Sequence, residues 1–307
     1  MKKQTGAAIV TVMLIVMLAT MIVSSLFYRE SIAIRSIENR LTLQQTRWVE
    51  RAVLDWSRVI LRADARNSTV DHLQEAWATP VADTILDETV TAGASIKNAR
   101  DSARLSGGMQ DAQGKLNLNN LVGPNGAQNP ETYKAFEKLL QLTGQPVVLA
   151  QNLLARLLTS QSVKTGDVTV PATTPALLLV DDLRTVKGFN TDVISTLDSF
   201  VIFLPNPTLV NVNTAPAETL AAIVPELDLA TARRFVSNRE RTFYPDLAAA
   251  GKAMGNNATL PLTMLDTKSA FFVVKGIIKF DRVEAGTETL LQRVSSNAVD
   301  VVWQRRL

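Results

Sequence analysis

Residues able to do chemistry are few in this chain, and their spacing fits no catalytic set. Among 307 residues there is one histidine, His72, and no cysteine. A histidine–cysteine zinc cluster is excluded, and a nucleophile–histidine–acid triad would rest on His72 alone. His72 lies in Thr69-Val70-Asp71-His72-Leu73, a helix start or turn, where a surface or capping role is expected. No G-x-S-x-G, H-E-x-x-H or P-loop pattern occurs. Oxygen donors exist at Asp111, Asn117, Asn119, Asp181, Asp182, Asp192 and Asp198. They form no EF-hand run, D-x-[DN]-x-[DN]-G, so no metal ligand is assigned among them. Lys2 and Lys3 supply +2 of the net charge of +3. The remainder is nearly neutral, which argues against a nucleic-acid or acidic-lipid surface. An enzyme anchored to a membrane has no recognisable constellation here.

The bond between Gly6 and Ala7 is where covalent chemistry is most clearly written. Lys2 and Lys3 precede Gly6, and no charge follows from Ala7 to Tyr28. That run of about 21 residues makes a helix of roughly 31 Å, enough to cross a bilayer core. The lysines favour a cytoplasmic N-terminus and export of the rest, giving a single-pass inner-membrane protein. A secretory signal has a shorter apolar core and a small-residue cleavage site. Here the core is too long, and Val23-Ser24-Ser25-Leu26-Phe27 offers no A-x-A site. A plain signal anchor and a short basic leader cut after Gly6, as in type IV pilin-like precursors, both fit.

The elements that follow favour the leader. Ile34, Ile37, Leu41, Trp48, Ala52 and Val59 recur at steps of three, four or seven, with charges between them. This is an amphipathic continuation of the same helix. Neither proline nor glycine interrupts Ala7–Ala65, a helix of 59 residues and roughly 88 Å. Its apolar stripe must lie on something, either its own globular domain or other helices. Beyond it, Asp71–Ala78 reads as a short helix stopped by Pro80. Thr89-Val90-Thr91, Ala94–Lys97 and Arg104–Gln110 read as strands. Helical segments are expected at 131–143, 147–160, 181–186, 191–200, 217–223, 229–239 and 244–250. Residues 269–280 and 290–303 read as two antiparallel strands joined at Glu284-Ala285-Gly286-Thr287. The expected fold is α+β, a long N-terminal helix packed on an antiparallel sheet, with a large inserted all-α domain. The pieces are a leader at 1–6, a membrane helix at 7–28 and its amphipathic continuation at 29–65. A sheet domain at 66–116 and 261–307 is interrupted by the insertion at 117–260.

Three words stand out in the middle. They are Asp111-x-x-Gly114-Lys115-x-Asn117-x-Asn119-x-Leu121, Lys187-Gly188-Phe189 and Asn211-Val212-Asn213-Thr214-Ala215-Pro216. Each also reads as a turn or cap. Residues 222–239 resemble a helix-hairpin-helix (SAM-like) unit, with a weaker copy near Val186–Asn190. Glu226 and Asp228 occupy the hairpin and would repel a phosphate, so it is read as a packing or protein-contact module without nucleic acid.

With leader, helix, these three words and the closing strands, nearly the whole chain resembles the type II secretion minor pseudopilin K family (general secretion pathway protein K). The resemblance implies a pilin-like α/β domain with a large helical insertion, and a non-enzymatic protein. Such a subunit caps the periplasmic pseudopilus tip, initiates assembly and supports export across the outer membrane. Its implied partners are minor pseudopilins I, J and H, the major pseudopilin G, and possible contacts with the secretin or exported substrates. Prepilin peptidase would cut between Gly6 and Ala7, with N-methylation of Ala7, although alanine replaces the usual Phe or Met there. Thr11 stands at the fifth mature position, where most pilins carry Glu to pair with a neighbour's N-terminal ammonium. The K family resembles this chain in lacking that Glu, which suits a subunit with no neighbour ahead. Calcium is associated with the family. A minor pilin of a type IV pilus would share leader and helix, but not Asn211–Pro216 or the insertion.

Overall fold

The computed structural model of the chain describes residues 5–86, 103–123, 126–161, 163–165, 168–255, 260–280 and 283–307. The long helix, α1, spans Thr5–Asn67, 63 residues or about 95 Å of rise. Its first part is apolar on all sides and exposed throughout, with a mean hydropathy of 2.6 in its most apolar window. Its later part is one-sided. Thr46, Val49, Glu50, Ser57 and Leu61 are buried, at steps of one to seven along one face. That face mixes the polar Thr46, Glu50 and Ser57 with Val49 and Leu61. The apolar stripe legible in the sequence is the opposite one, and it is not covered: Ile37 is 59 %, Leu41 54 % and Trp48 68 % exposed.

Chain contacts divide the molecule into two compact units, one of residues 1–53, 83–105 and 278–285, the other of 54–82, 106–277 and 286–307. A five-stranded sheet runs in the order β1 (Val81–Leu86), β2 (Ala103–Asp111), β3 (Phe271–Phe280), β4 (Val283–Arg293), β5 (Val299–Arg306). Strands β4 and β5 are antiparallel, from Thr287 opposite Arg306 to Arg293 opposite Val299, with a bulge between Leu290 and Leu291. The expected turn at Glu284–Thr287 is instead the beginning of β4. The expected strand 290–303 is two strands, divided at 294–298, where Ala298 N donates to Ser295 O. Ser295, Ser296 and Asn297 supply the turn chemistry there, while Gly286 lies within β4. The expected helix Asp71–Ala78 is only a 3-10 turn, Ala76–Ala78. Val81–Leu86, read as loop, is a strand. Thr89–Thr91 and Ala94–Lys97 lie outside the described residues.

Within the second unit, α2 (Pro130–Leu142), α3 (Val148–Thr159), α4 (Thr191–Leu197), α5 (Ala217–Ile223), α6 (Leu229–Arg239) and α7 (Leu247–Met254) follow the expected order. Asn129 caps α2 with Pro130 in its first turn, and Asn190, Asp228 and Asp246 cap α4, α6 and α7. Segment 181–186 is a 3-10 helix, Val180–Thr185, and α7 starts three residues later than 244. One apolar core gathers Phe136, Leu139, Leu153, Leu197, Leu220 and Phe235. Short parallel strand pairs knit its edges, Leu116–Asn117 with Val201–Ile202 and Val210–Asn211 with Leu265–Asp266. A smaller core joins Ile202 and Leu204 to Phe271, Val273 and Leu290 of the sheet.

Candidate functional site

The residues singled out by sequence fall into three places. Gly6 and Ala7 lie in the first turn of α1. Thr11 is exposed one turn on, where its hydroxyl donates to the Ala8 carbonyl at 3.0 Å. A hydroxyl satisfied inside its own helix can sit in lipid without a partner charge. The exposed stripe Ile34, Ile37, Leu41, Trp48 and Val59 continues from there along α1.

The polar words meet in a buried network of the second unit. Asp111 closes β2 and is its hub. Its Oδ2 accepts from Asn211 Nδ2 at 3.0 Å, Thr214 Oγ1 at 2.6 Å and Ser269 Oγ at 2.6 Å, and its Oδ1 from Gln113 N at 2.8 Å. Burial pushes the Asp111 carboxyl up to about 6 despite those donors. Asn211 Nδ2 also donates to Asp71 O, and its Oδ1 accepts from Asn213 N. Asn213 brackets Tyr244, donating to its carbonyl and accepting from its N–H, each at 2.9 Å. Gln113 donates to Leu209 O and accepts from Ala270 N. Gly114 lies so near Thr214 that a Cβ would stand 3.1 Å from that residue's carbonyl oxygen. Asn117 and Asn119 work alike, clasping Asn206 O and Leu204 O. These words are therefore the stitches between sheet and helical insertion, with side chains replacing missing backbone pairing.

The two hairpins are also packing devices. Lys138 Nζ of α2 donates to the carbonyls of Val224, Pro225 and Leu227, at 3.0, 3.1 and 3.4 Å. It thus occupies the α5–α6 turn with a cation of the protein's own. At the weaker copy, Gly188 has φ +92°, and a Cβ there would come within 2.7 Å of Leu149. Asn152 Nδ2 holds Lys187 O at 3.0 Å.

Sequence reasoning missed a third place, at the end of α1. Arg293 of β4 donates to Asp64 Oδ2 at 2.8 Å, to both oxygens of Asp71 at 2.6 and 2.7 Å, and to Ser269 O at 2.6 Å. Asp64, Asp71 and Glu75 each bring an oxygen within 4.8 Å of the others. Glu75 Oε2 accepts from His72 N and Trp77 Nε1, while its buried Oε1 lacks a hydrogen-bond donor. Burial, then the Glu75 charge, pushes Asp64 up to about 6. Burial likewise raises Asp71 against the pull of Arg293. His72 stacks on Phe243 at 3.9 Å, and its Nδ1 accepts from Gln74 N, as a capping histidine would. Burial lowers its pKa, so its 3.7 Å approach to Glu75 is not an ion pair at neutral pH. The only signal in sequence was the density of acids from 64 to 75.

Among the described residues, the gathered oxygen donors do not fit a calcium ion. Two of the three gathered carboxylates, Asp64 and Asp71, already hold the Arg293 guanidinium, whose charge an added calcium ion would oppose. Among the donors named from sequence, Asp181 is paired with Arg305 at 3.0 Å and Asp182 caps Leu178 N and Leu179 N. Asp111, Asn117 and Asn119 are engaged as described. Asp192 and Asp198 sit at opposite ends of α4.

Comparison with known proteins agrees with this picture. Residues 114–206 and 210–269 match two family models described as "Type II secretion system (T2SS), protein K". A protein named type II secretion system protein K from Pseudomonas aeruginosa is 30 % identical over 281 residues, covering 82 % of this chain and 80 % of its own length. One of the same name from Aeromonas hydrophila is 25 % identical, covering 100 % of this chain and 97 % of its own. Among solved structures, a chain of the GspK-GspI-GspJ complex from enterotoxigenic Escherichia coli superposes with a TM-score of 0.69 at 19 % identity, covering 88 % of this chain and 98 % of that one.

Proposed function

The chain belongs to the type II secretion system protein K family, and from that premise we propose that it is the tip subunit of the pseudopilus and starts its assembly. As a member it is a minor pseudopilin, a structural part of the secretion machinery. The observation that carries the finer reading is the uncovered stripe of α1. The later part of α1 buries Thr46, Glu50 and Ser57 together with Val49 and Leu61, and leaves Ile37, Leu41 and Trp48 to water. Three such side chains on a periodic line are an interface awaiting other helices. By analogy with the complex named above, those helices come from pseudopilins I and J, with H and the major pseudopilin G below.

In this reading prepilin peptidase cuts after Gly6 and frees the Ala7 amine for methylation. The apolar part of α1 holds the mature subunit in the inner membrane, with the globular part in the periplasm. Thr11 supplies no carboxylate, so nothing ahead of this subunit is neutralised. The stitched insertion stands as a cap that bars further subunits, and it can meet the secretin or exported proteins. No catalytic step is assigned.

Leu41→Glu and Trp48→Glu test this. Each should abolish secretion of a type II cargo in the native host, while the melting temperature of the extracted chain stays unchanged, because both side chains are exposed. Normal secretion by both variants would sink the helix-packing role.

A further inference from the structure

The stripe has an electrostatic border that its hydrophobicity does not require. Residues on a helix advance by about 100° each. Arg29, Arg40, Arg47 and Arg51, at intervals of 11, 7 and 4, therefore fall within an arc of about 40°. That arc flanks the line of Ile34, Ile37, Leu41 and Trp48. All four arginines are exposed, and Arg51 lies over the Trp48 ring at 6.0 Å. The opposite border carries Ser31, Glu38 and Gln45, a single charge. Glu30 lies on the stripe itself, and Arg58 continues the row, paired with Asp55 at 3.1 Å.

We infer that this face of α1 takes an amphipathic helix of a different pseudopilin whose own border presents a row of Asp and Glu side chains. The inference rests on the helix-packing reading above and adds the chemistry of the partner. Border charges beside an apolar seam choose the partner and its register, as in coiled coils. A second copy of this chain would set arginine against arginine, so the row discriminates against self-pairing. Anionic lipid is the lesser candidate. Arg47 and Arg51 lie roughly 28 and 34 Å of helix beyond Tyr28, several screening lengths of about 8 Å from the bilayer.

The test places a photo-crosslinking phenylalanine at Gln44, between stripe and border, in the full chain in its host membrane. A second position, Leu41, reports the seam itself. The expected adduct at Gln44 is a helix of another pseudopilin bearing acidic residues at matching intervals. Replacing Arg40, Arg47 and Arg51 together by Glu should lower its yield roughly ten-fold, since attraction becomes repulsion at three positions, whereas the triple Lys variant should keep it. A yield indifferent to Arg→Glu, or adducts on lipid or on a second copy of this chain, would overturn the inference while leaving helix packing intact. If neither Gln44 nor Leu41 reaches any pseudopilin in the otherwise native chain, the packing reading itself fails and this one with it.

Discussion

Asp111 shows how much one carboxylate can be asked to hold. Its four donors come from residues 113, 211, 214 and 269, so it ties the end of β2 to the 211–214 stretch of the insertion and to the entry of β3. Asp111→Asn turns an acceptor into an amide facing donors, which should cost on the order of 2–4 kcal/mol, measured by denaturant unfolding of the extracted full chain. A loss under 1 kcal/mol would mean the hub is replaceable. At the α1 end, Asp64 and Glu75 can share a hydrogen bond only if one is protonated. Both Asp64 and Asp111 have folded pKa values near 6, raised from 3.8. The folded state thus binds more protons than the unfolded state between these limits. The sign is that their contribution to stability is full below about pH 4 and is lost as pH rises through about 6. The melting temperature should rise as pH falls from 7.5 toward 5.5. Asp64→Asn, which carries a permanent donor toward Glu75, should flatten part of that rise; an unchanged slope would count against the shared proton. None of this was legible in sequence. Asp64, Asp71, Ser269 and Arg293 are separated by up to 229 positions, and only the fold brings them together.

At the scale of elements, α1 was the most legible feature, because a run free of proline and glycine with an unbroken apolar period has few other solutions. What the period left open was which face would be covered. The buried face carries Thr46, Val49, Glu50, Ser57 and Leu61, whereas the run of larger apolar side chains points to the other side. The starts of α4 and α6 match expectation because Asn190 and Asp228 stand directly before them, whereas Asp246 starts α7 three residues later than expected. The β4–β5 turn misled because three serine and asparagine residues competed with a single glycine, and local propensity does not rank them. Lys187-Gly188-Phe189 was readable as a turn but not as a contact. Gly188→Ala puts a Cβ at positive φ against Leu149 and should destabilise the second unit by about 1–3 kcal/mol. Lys138→Met should cost about 1–2 kcal/mol by leaving three hairpin carbonyls without their cation. Equal stability of both variants and the native chain would contradict the packing account of the two hairpins.

At the level of the whole chain, α1 leaves an apolar stripe exposed and the insertion is stitched into the sheet. The insertion cannot be lifted out cleanly, because Ile202 and Leu204 share a core with Phe271, Val273 and Leu290. Its deletion would strip the sheet as well as the cap, so a failure of secretion on deletion says little about capping. Processing is separable. The membrane-extracted chain should start at Ala7 when prepilin peptidase is present and at the uncut N-terminus when it is absent, by N-terminal mass. An uncut start in both would make α1 a plain anchor. The claim at the centre is position, one subunit at the end of the filament. Gold labelling of an exposed residue of the insertion, such as Asp192, changed to cysteine, on pseudopili lengthened by overproducing the major pseudopilin, reads it directly. The account predicts label at one end of each filament. Label spaced along the shaft would contradict it.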